Sequence, residues 1–429
     1  MIYWAPFLHF YQPPTQFHAI LDKICRESYA PLVKVFSEQP NTKVTINMCG
    51  VLTQMLKDHG RGDIIDGIRE VAETGKLEFV DSANYHAILP LIPPREARRQ
   101  IEQNHKTNSF FFKDVYKPKG FFPPEMCYSD GLASILASLG YQWCILSGVA
   151  CSDNWPQDVI YKVNLGKHKL ITFYRDDILS NKISFHNIES QEFIAQLVDF
   201  SKGKKDVYVI TAMDAETFGH HIQNWEKLFL ADVYKTLEKN NSLNKKLKHK
   251  TDLAEKHKDI LNLGLEGQIQ VVTISELIGK LPVEASSPPF ASSWSTTRDE
   301  INQGNFYPLW KDPNNPIHTL QWEYVSFCFE LVDKAKSFKS NKESGYFSDI
   351  ARMLLDRAIH SCQFWWANKG RMWDINMVNK GLVLMEEVIF NASKAIYVCG
   401  SEEEKMDLNY RVLAARDVAS KIRECLIKG

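Results

Sequence analysis

Apolar and polar positions along the first two thirds of the chain follow two rhythms. Short apolar runs at residues 2–8, 43–48, 77–81, 119–122, 143–147, 207–213 and 270–273 predict seven strands. Between most of them the apolar positions recur at helical spacing, from Ile20 to Phe36, Asp63 to Ala72, Arg95 to Phe112 after a double proline, and Asp130 to Leu139 before Gly140. Such alternation implies parallel strands joined by crossover helices, either a closed barrel or an open doubly wound sheet. Residues 159–164 and 169–174, joined by Gly166-Lys167, predict an inserted hairpin.

The strand rhythm stops at Ser286-Ser287-Pro288-Pro289. Beyond it, Ile350, Leu354, Ala358 and Cys362 recur at helical spacing, as do Val378, Leu382, Met385 and Ile389, and Ser401 with Glu404 forms a capping box. The expected organisation is an α/β domain over 1–285 and a helical bundle over 286–429 packed on it. A lysine-rich stretch from Tyr234 to Asp259 reads as a solvated surface insertion.

A chain of 429 residues exceeds what one core usually organises, which agrees with two domains. Its 51 basic and 52 acidic residues nearly cancel, so no global field favours nucleic acid or an anionic membrane. Aromatic residues beside polar ones, as at His9-Phe10-Tyr11, Tyr85-His86 and Trp365-Trp366, suit stacking on sugar faces, although core packing accounts for most aromatics. Nine scattered cysteines without a CxxC pair indicate reduced thiols and a cytoplasmic setting. The start of the chain lacks a basic segment and soon meets His9, which argues against a signal peptide, and no apolar run is long enough to span a membrane. No cofactor or metal is called for, and oligomeric state is left open.

In parallel α/β barrels, side chains just beyond the C-terminal strand ends share one mouth. By that rule the first strand delivers His9 and Gln12, the third Tyr85 and His86, the fourth Glu125, and the sixth Asp214 and Glu216. Two carboxylates from different strands thereby converge. Glycoside cleavage needs such a pair, one to attack or activate water and one to protonate the leaving oxygen. Taken singly, Glu125 is an ordinary loop glutamate and Asp214 an N-cap or part of a metal cluster; the joint pattern is what points to this chemistry.

Four ordered motifs carry a resemblance to glycoside hydrolase family 57, which groups α-amylases, 4-α-glucanotransferases and branching enzymes: LHFYQP from Leu8, GKLE from Gly75, GFFPPE from Gly120 and MDAETFGH from Met213. A fifth region is looser, around Ser293-Trp294 or His318 to Trp322. The resemblance implies an incomplete (β/α)7 TIM-like barrel followed by a C-terminal helical domain that completes the cleft. It implies an α-glucan substrate, with Glu125 as nucleophile and Asp214 as acid/base of a retaining reaction. Glu78, Arg175, Asp176, His220 and Trp294 join His9, Gln12, Tyr85, His86 and Glu216 as candidate sugar-binding residues. Tyr11, Lys76 and Phe121-Phe122 depart from the residues usual in the family and leave substrate details open.

The division of labour has its own argument. Glu216 lies two residues from Asp214, so mutual repulsion favours a proton on one of them, whereas Glu125 has no acidic neighbour in sequence until Asp130. The competing readings are a metal-dependent deacetylase or mannosidase-like hydrolase using His9, His86, Asp214 and His220, and a non-catalytic glucan-binding homologue.

Overall fold

The computed structural model describes residues 1–153, 155, 158–200, 204–239 and 269–428, so most of the lysine-rich stretch lies outside the described residues. They divide into two compact units. The first comprises residues 1–12, 16–84 and 93–294, and the second residues 13–15, 85–92 and 295–429. The Ser286 to Pro289 run therefore falls inside the first unit, and the handover lies between Trp294 and Ser295.

In the first unit β1 (Ile2–Phe10) is the central strand. Along one edge it runs parallel to β8 (Val207–Asp214). Its other edge is shared between β2 (Val44–Met48), which pairs with Phe7 to Phe10, and β9 (Ile269–Val271), which pairs with Ile2 to Trp4. β3 (Leu77–Val80) follows β2 in parallel. A second sheet sets β4 (Gly120–Phe121) beside β5 (Trp143–Leu146) and β5 beside β7 (His168–Tyr174), all parallel. β6 (Ile160–Leu165) lies antiparallel to β7 and carries β10 (Val283–Ala285) on its outer edge.

Two sets of hydrogen bonds join the sheets. Asp81 N–H donates to Gly120 O at 3.0 Å and Phe122 N–H returns to Asp81 O at 2.8 Å. On the other side Asp176 N–H donates to Ile210 O at 2.8 Å. A circuit of parallel strands thus passes β1, β2, β3, β4, β5, β7 and β8, with β9 as a wedge beside β1. The hairpin is not the insertion that its Gly166 turn suggests, because its second strand is a full member of the circuit through a parallel edge with β5. Local turn chemistry reports one edge of a strand and is silent about the other.

Helices α1 (Gly62–Glu73), α2 (Pro94–Phe112) and α3 (Asp130–Ser138) occupy the predicted segments, and the chain is helical from His18 to Glu38 with a wider turn over Cys25–Tyr29. Two shorter helices, α4 (Asp177–Ser184) and α5 (Ile274–Leu277), follow β7 and β9.

The period of two along each strand separates two apolar clusters. Ile2, Trp4, Leu8 and Phe10 of β1, with Val207, Val209 and Met213 of β8, face the helices that include Leu32, Leu52 and Ile68. Ala5 and Phe7, with Tyr208, Ile210 and Ala212, face inward against Phe122, Trp143, Ile145 and Phe173.

The second unit contains four long helices, α6 (Pro316–Lys336), α7 (Lys342–Ala358), α8 (Ile375–Cys399) and α9 (Glu402–Lys428). Asn315, Asn341 and Asp374 cap the first three through their side chains. The Ser401 and Glu404 capping box forms, with Ser401 N–H donating to Glu404 at 2.8 Å. Val378, Leu382, Met385 and Ile389 are buried, as the periodicity requires. No helix among the described residues is long and apolar enough to cross a membrane.

Candidate active site

Strand parity decides which side chains meet at the C-terminal ends. His9 continues the inward series of Ala5 and Phe7, Asp214 that of Tyr208, Ile210 and Ala212, and Arg175 follows Phe173 on the same phase. His9 is the direct register partner of both Asn47 and Asp214. Its Nδ1 lies 2.8 Å from Asn47 Oδ1, and its ring stacks on Phe122 at 4.7 Å and meets the edge of Trp294 at 6.0 Å. Burial pulls the His9 pKa down to about 4, so the imidazole is neutral at ordinary pH.

Glu125 follows Pro123-Pro124, where the strand gives way to a tight turn closed by Met126 N–H to Pro123 O at 2.7 Å. Its backbone is left-handed, with φ 58°, and so is that of Met126, with φ 50°. Two consecutive non-glycine residues in this region persist only where the surroundings over-determine them. Trp294 supplies much of that constraint. Its backbone N–H donates to Glu125 O at 3.1 Å and its indole Nε1–H to Glu125 Oε2 at 2.8 Å.

Asp214 ends β8 half-buried, next to the buried Glu216. Burial raises the proton affinity of both carboxyls above the ordinary range. For Glu216 the charge of Asp214 adds to that rise, while Arg175 opposes it for Asp214. Glu216 accepts from Gln12 Nε2 at 2.7 Å and from the Tyr29 hydroxyl.

The remaining candidates take up varied positions. Every nitrogen of Arg175 is engaged by protein, Nε with Ala212 O at 2.7 Å, Nη1 with Asp177 at 2.9 Å and Nη2 with Asn181 at 2.8 Å. Asp176 caps α4 by accepting from Leu179 N–H at 2.9 Å. Glu78 accepts from Thr45 Oγ1 and from Ser275 N–H at the start of α5, both at 3.1 Å. His220 Nδ1 lies 2.7 Å from Glu27, and Gly219 before it has φ 105° because Glu27 O occupies the place of a β-carbon. Tyr85 and His86 belong to the second unit, where His86 Nδ1 lies 2.8 Å from Ser361 Oγ. Trp310 is buried there and Trp322 stacks on Phe364 at 4.4 Å.

Three further residues belong to this setting and escape a reading of sequence alone. Asn47 orients His9, and its place at the end of β2 is the signal that finds it. Tyr29 reaches Glu216 from a helix, for which sequence offers no cue. Asp81 is fully buried between β3 and β4 and accepts from Ser82 N–H, Asn104, His105, Tyr116 and Tyr141.

Residues 7–262 match the family model described as glycosyl hydrolase family 57. Over 250 residues the chain is 25% identical to an α-amylase of Pyrococcus horikoshii, covering 55% of this chain and 38% of that protein. A 4-α-glucanotransferase of Thermococcus kodakarensis is 26% identical over 221 residues, 49% of this chain and 32% of its own. The chain thus spans only about a third of the length of these relatives. Among solved structures, a family 57 branching enzyme of Thermococcus kodakaraensis superposes with a TM-score of 0.69 at 15% identity, covering 97% of this chain and 95% of that one. An exo-type maltose-forming amylase of Pyrococcus sp. ST04 gives a TM-score of 0.70 at 12% identity, covering 96% and 82%.

Proposed function

Since this chain belongs to glycosyl hydrolase family 57, we propose that it cleaves α-linked glucans with retention of configuration, Glu125 attacking the anomeric carbon and Asp214 giving and regaining the proton. The circuit of seven parallel strands is read as the incomplete (β/α)7 barrel that presents this pair. One observation carries the reading: Glu125 is held by Trp294, which meets His9, the register partner of Asp214.

In the first step the Glu125 carboxylate bonds to the anomeric carbon as the glycosidic C–O bond breaks, and Asp214 protonates the departing oxygen. In the second, a water or glucan hydroxyl attacks the anomeric carbon and surrenders its proton to Asp214 as the bond to Glu125 breaks and its carboxylate is released. Enclosure supports this role, because it keeps Asp214 protonated at a higher pH than a solvated aspartate. Glu216, held by Gln12 and Tyr29, has its own proton affinity raised by burial and by the Asp214 charge, so the pair does not ionise together. Nine cysteines scattered along the chain without a CxxC pair support a reducing, cytoplasmic setting.

The metal-dependent reading has less support. His9 is turned to Asn47 and His220 to Glu27, and among the described residues no three of His, Cys, Asp or Glu gather as ligands. Release of reducing sugar from soluble starch and maltooligosaccharides tests the proposal. Glu125→Ala should abolish it, and equal activity in the variant would end the reading.

A further inference from the structure

Arg175 sits buried at the end of β7 as an inward residue, and three of its five N–H donors are held by protein, one on each nitrogen. What it touches is instructive. Its guanidinium carbon lies 5.7 Å from the centre of the Trp294 ring, the ring whose Nε1–H holds Glu125. Its Nε holds the carbonyl of Ala212, two residues before Asp214 on β8. One side chain therefore ties the group that orients the nucleophile to the strand end that presents the acid.

We propose that Arg175 and Trp294 act as a single positioning unit that fixes Glu125 relative to Asp214. The inference rests on the catalytic roles proposed above. A planar guanidinium suits this place because it stacks on an indole while its fork stays hydrogen-bonded in plane, which a lysine ammonium does not reproduce. Around Asp214 the charged and titratable groups are Arg175, with Asp176 and Asp177 beside it, Glu216 after β8 with the Tyr29 hydroxyl on it, and His9 on β1. Glu125 joins them through Trp294. His9 is neutral at ordinary pH, so Arg175 is the cation that acts on Asp214.

The experiment compares Trp294→Phe, Arg175→Lys, Arg175→Met and the double variants, each checked for native unfolding. Loss of a hydrogen bond to a charged group should lower kcat of Trp294→Phe about tenfold to a hundredfold with little change in KM. Arg175→Met should shift the basic limb of the kcat/KM profile up by about one pH unit, since a removed cation leaves Asp214 protonated further into alkali. Arg175→Lys should keep the limb in place while kcat falls. The double variants should cost about as much as the worse single change, because the two residues act as one device. An unmoved limb in Arg175→Met, or losses that multiply in the doubles, would overturn the inference. If Arg175→Met does not fold, the Arg175→Lys and Trp294→Phe cycle decides by the same criterion. Infrared titration of the Asp214 carboxyl, identified by its loss in Asp214→Asn, needs no substrate. A shift there in Arg175→Met stands even if no glucan is cleaved, which separates failure of the inference from failure of the functional reading.

Discussion

Replacing Asp81 by alanine should damage the first unit more than any surface charge would. Its Oδ1 accepts from Ser82 N–H at 3.0 Å, Asn104 Nδ2 at 2.6 Å and the Tyr116 hydroxyl at 3.1 Å, and its Oδ2 lies 2.8 Å from both His105 Nδ1 and the Tyr141 hydroxyl. His105 and Tyr141 are partly exposed and recover partners from water. Ser82, Asn104 and Tyr116 are buried and do not. Stranding three buried donors at about 1–3 kcal/mol each, less the desolvation relieved by removing the carboxyl, leaves a loss of about 4 kcal/mol. At roughly 2 °C per kcal/mol for a unit of this size, the Tm falls by about 8 °C. Activity at low temperature should fall as well, because Asp81 also pairs through its backbone with Gly120 and Phe122 on the strand that leads to Glu125. Calorimetry of the intact chain, followed by assays well below the transition, measures both effects. A Tm within 2 °C of the parent protein would refute this account of the cluster.

Three other outcomes are expected. Asp214→Ala should lose least activity on aryl glycosides with good leaving groups, and azide should rescue it to the α-glycosyl azide; label trapped on Asp214 instead of Glu125 would reverse the roles. The Asp81 hydrogen bond raises the proton affinity of His105 above its unfolded value, so that stabilisation is full below about pH 6.5 and fades as pH rises through the folded pKa. His105→Ala should accordingly lower the Tm more at pH 6 than at pH 9, and an equal loss would remove this assignment. In Gly219→Ala the new carbon would stand 1.9 Å from Glu27 O at φ 105°, which should cost about 3 kcal/mol, read as a fall in unfolding midpoint at unchanged m-value.

The strand ends were legible because apolar runs and the parity rule require only local sequence, which is how Glu125, Asp214, His9 and Gln12 are found together as candidates. Edges of strands were not. The parallel edge between β7 and β5 joins Leu146 to Tyr174, and nothing in either run announces the other. Partners of side chains were hidden for the same reason. Sequence places Trp294 and Arg175 among the candidate sugar-binding residues but does not show the indole N–H on Glu125 or the Arg175 Nε on Ala212 O. Sequence gives the chemistry a residue is able to offer, and only three-dimensional neighbours reveal which donors are already spent.

The shared edge of β1 also sets a timetable. Ile2 must find Val207 on one side and Ile269 on the other, so the central strand stays incomplete while the roughly 270 residues between it and β9 are made. At about 5–20 residues per second, synthesis leaves part of its edge unpaired for roughly a quarter of a minute to a minute. During that interval Trp4, Leu8 and Phe10 gain cover in stages, first from the helix after β1 and from β2, and for Trp4 only later from Phe193 and Tyr234. Nascent chains of this protein are therefore expected to depend on holding factors at the ribosome far more than the finished fold does.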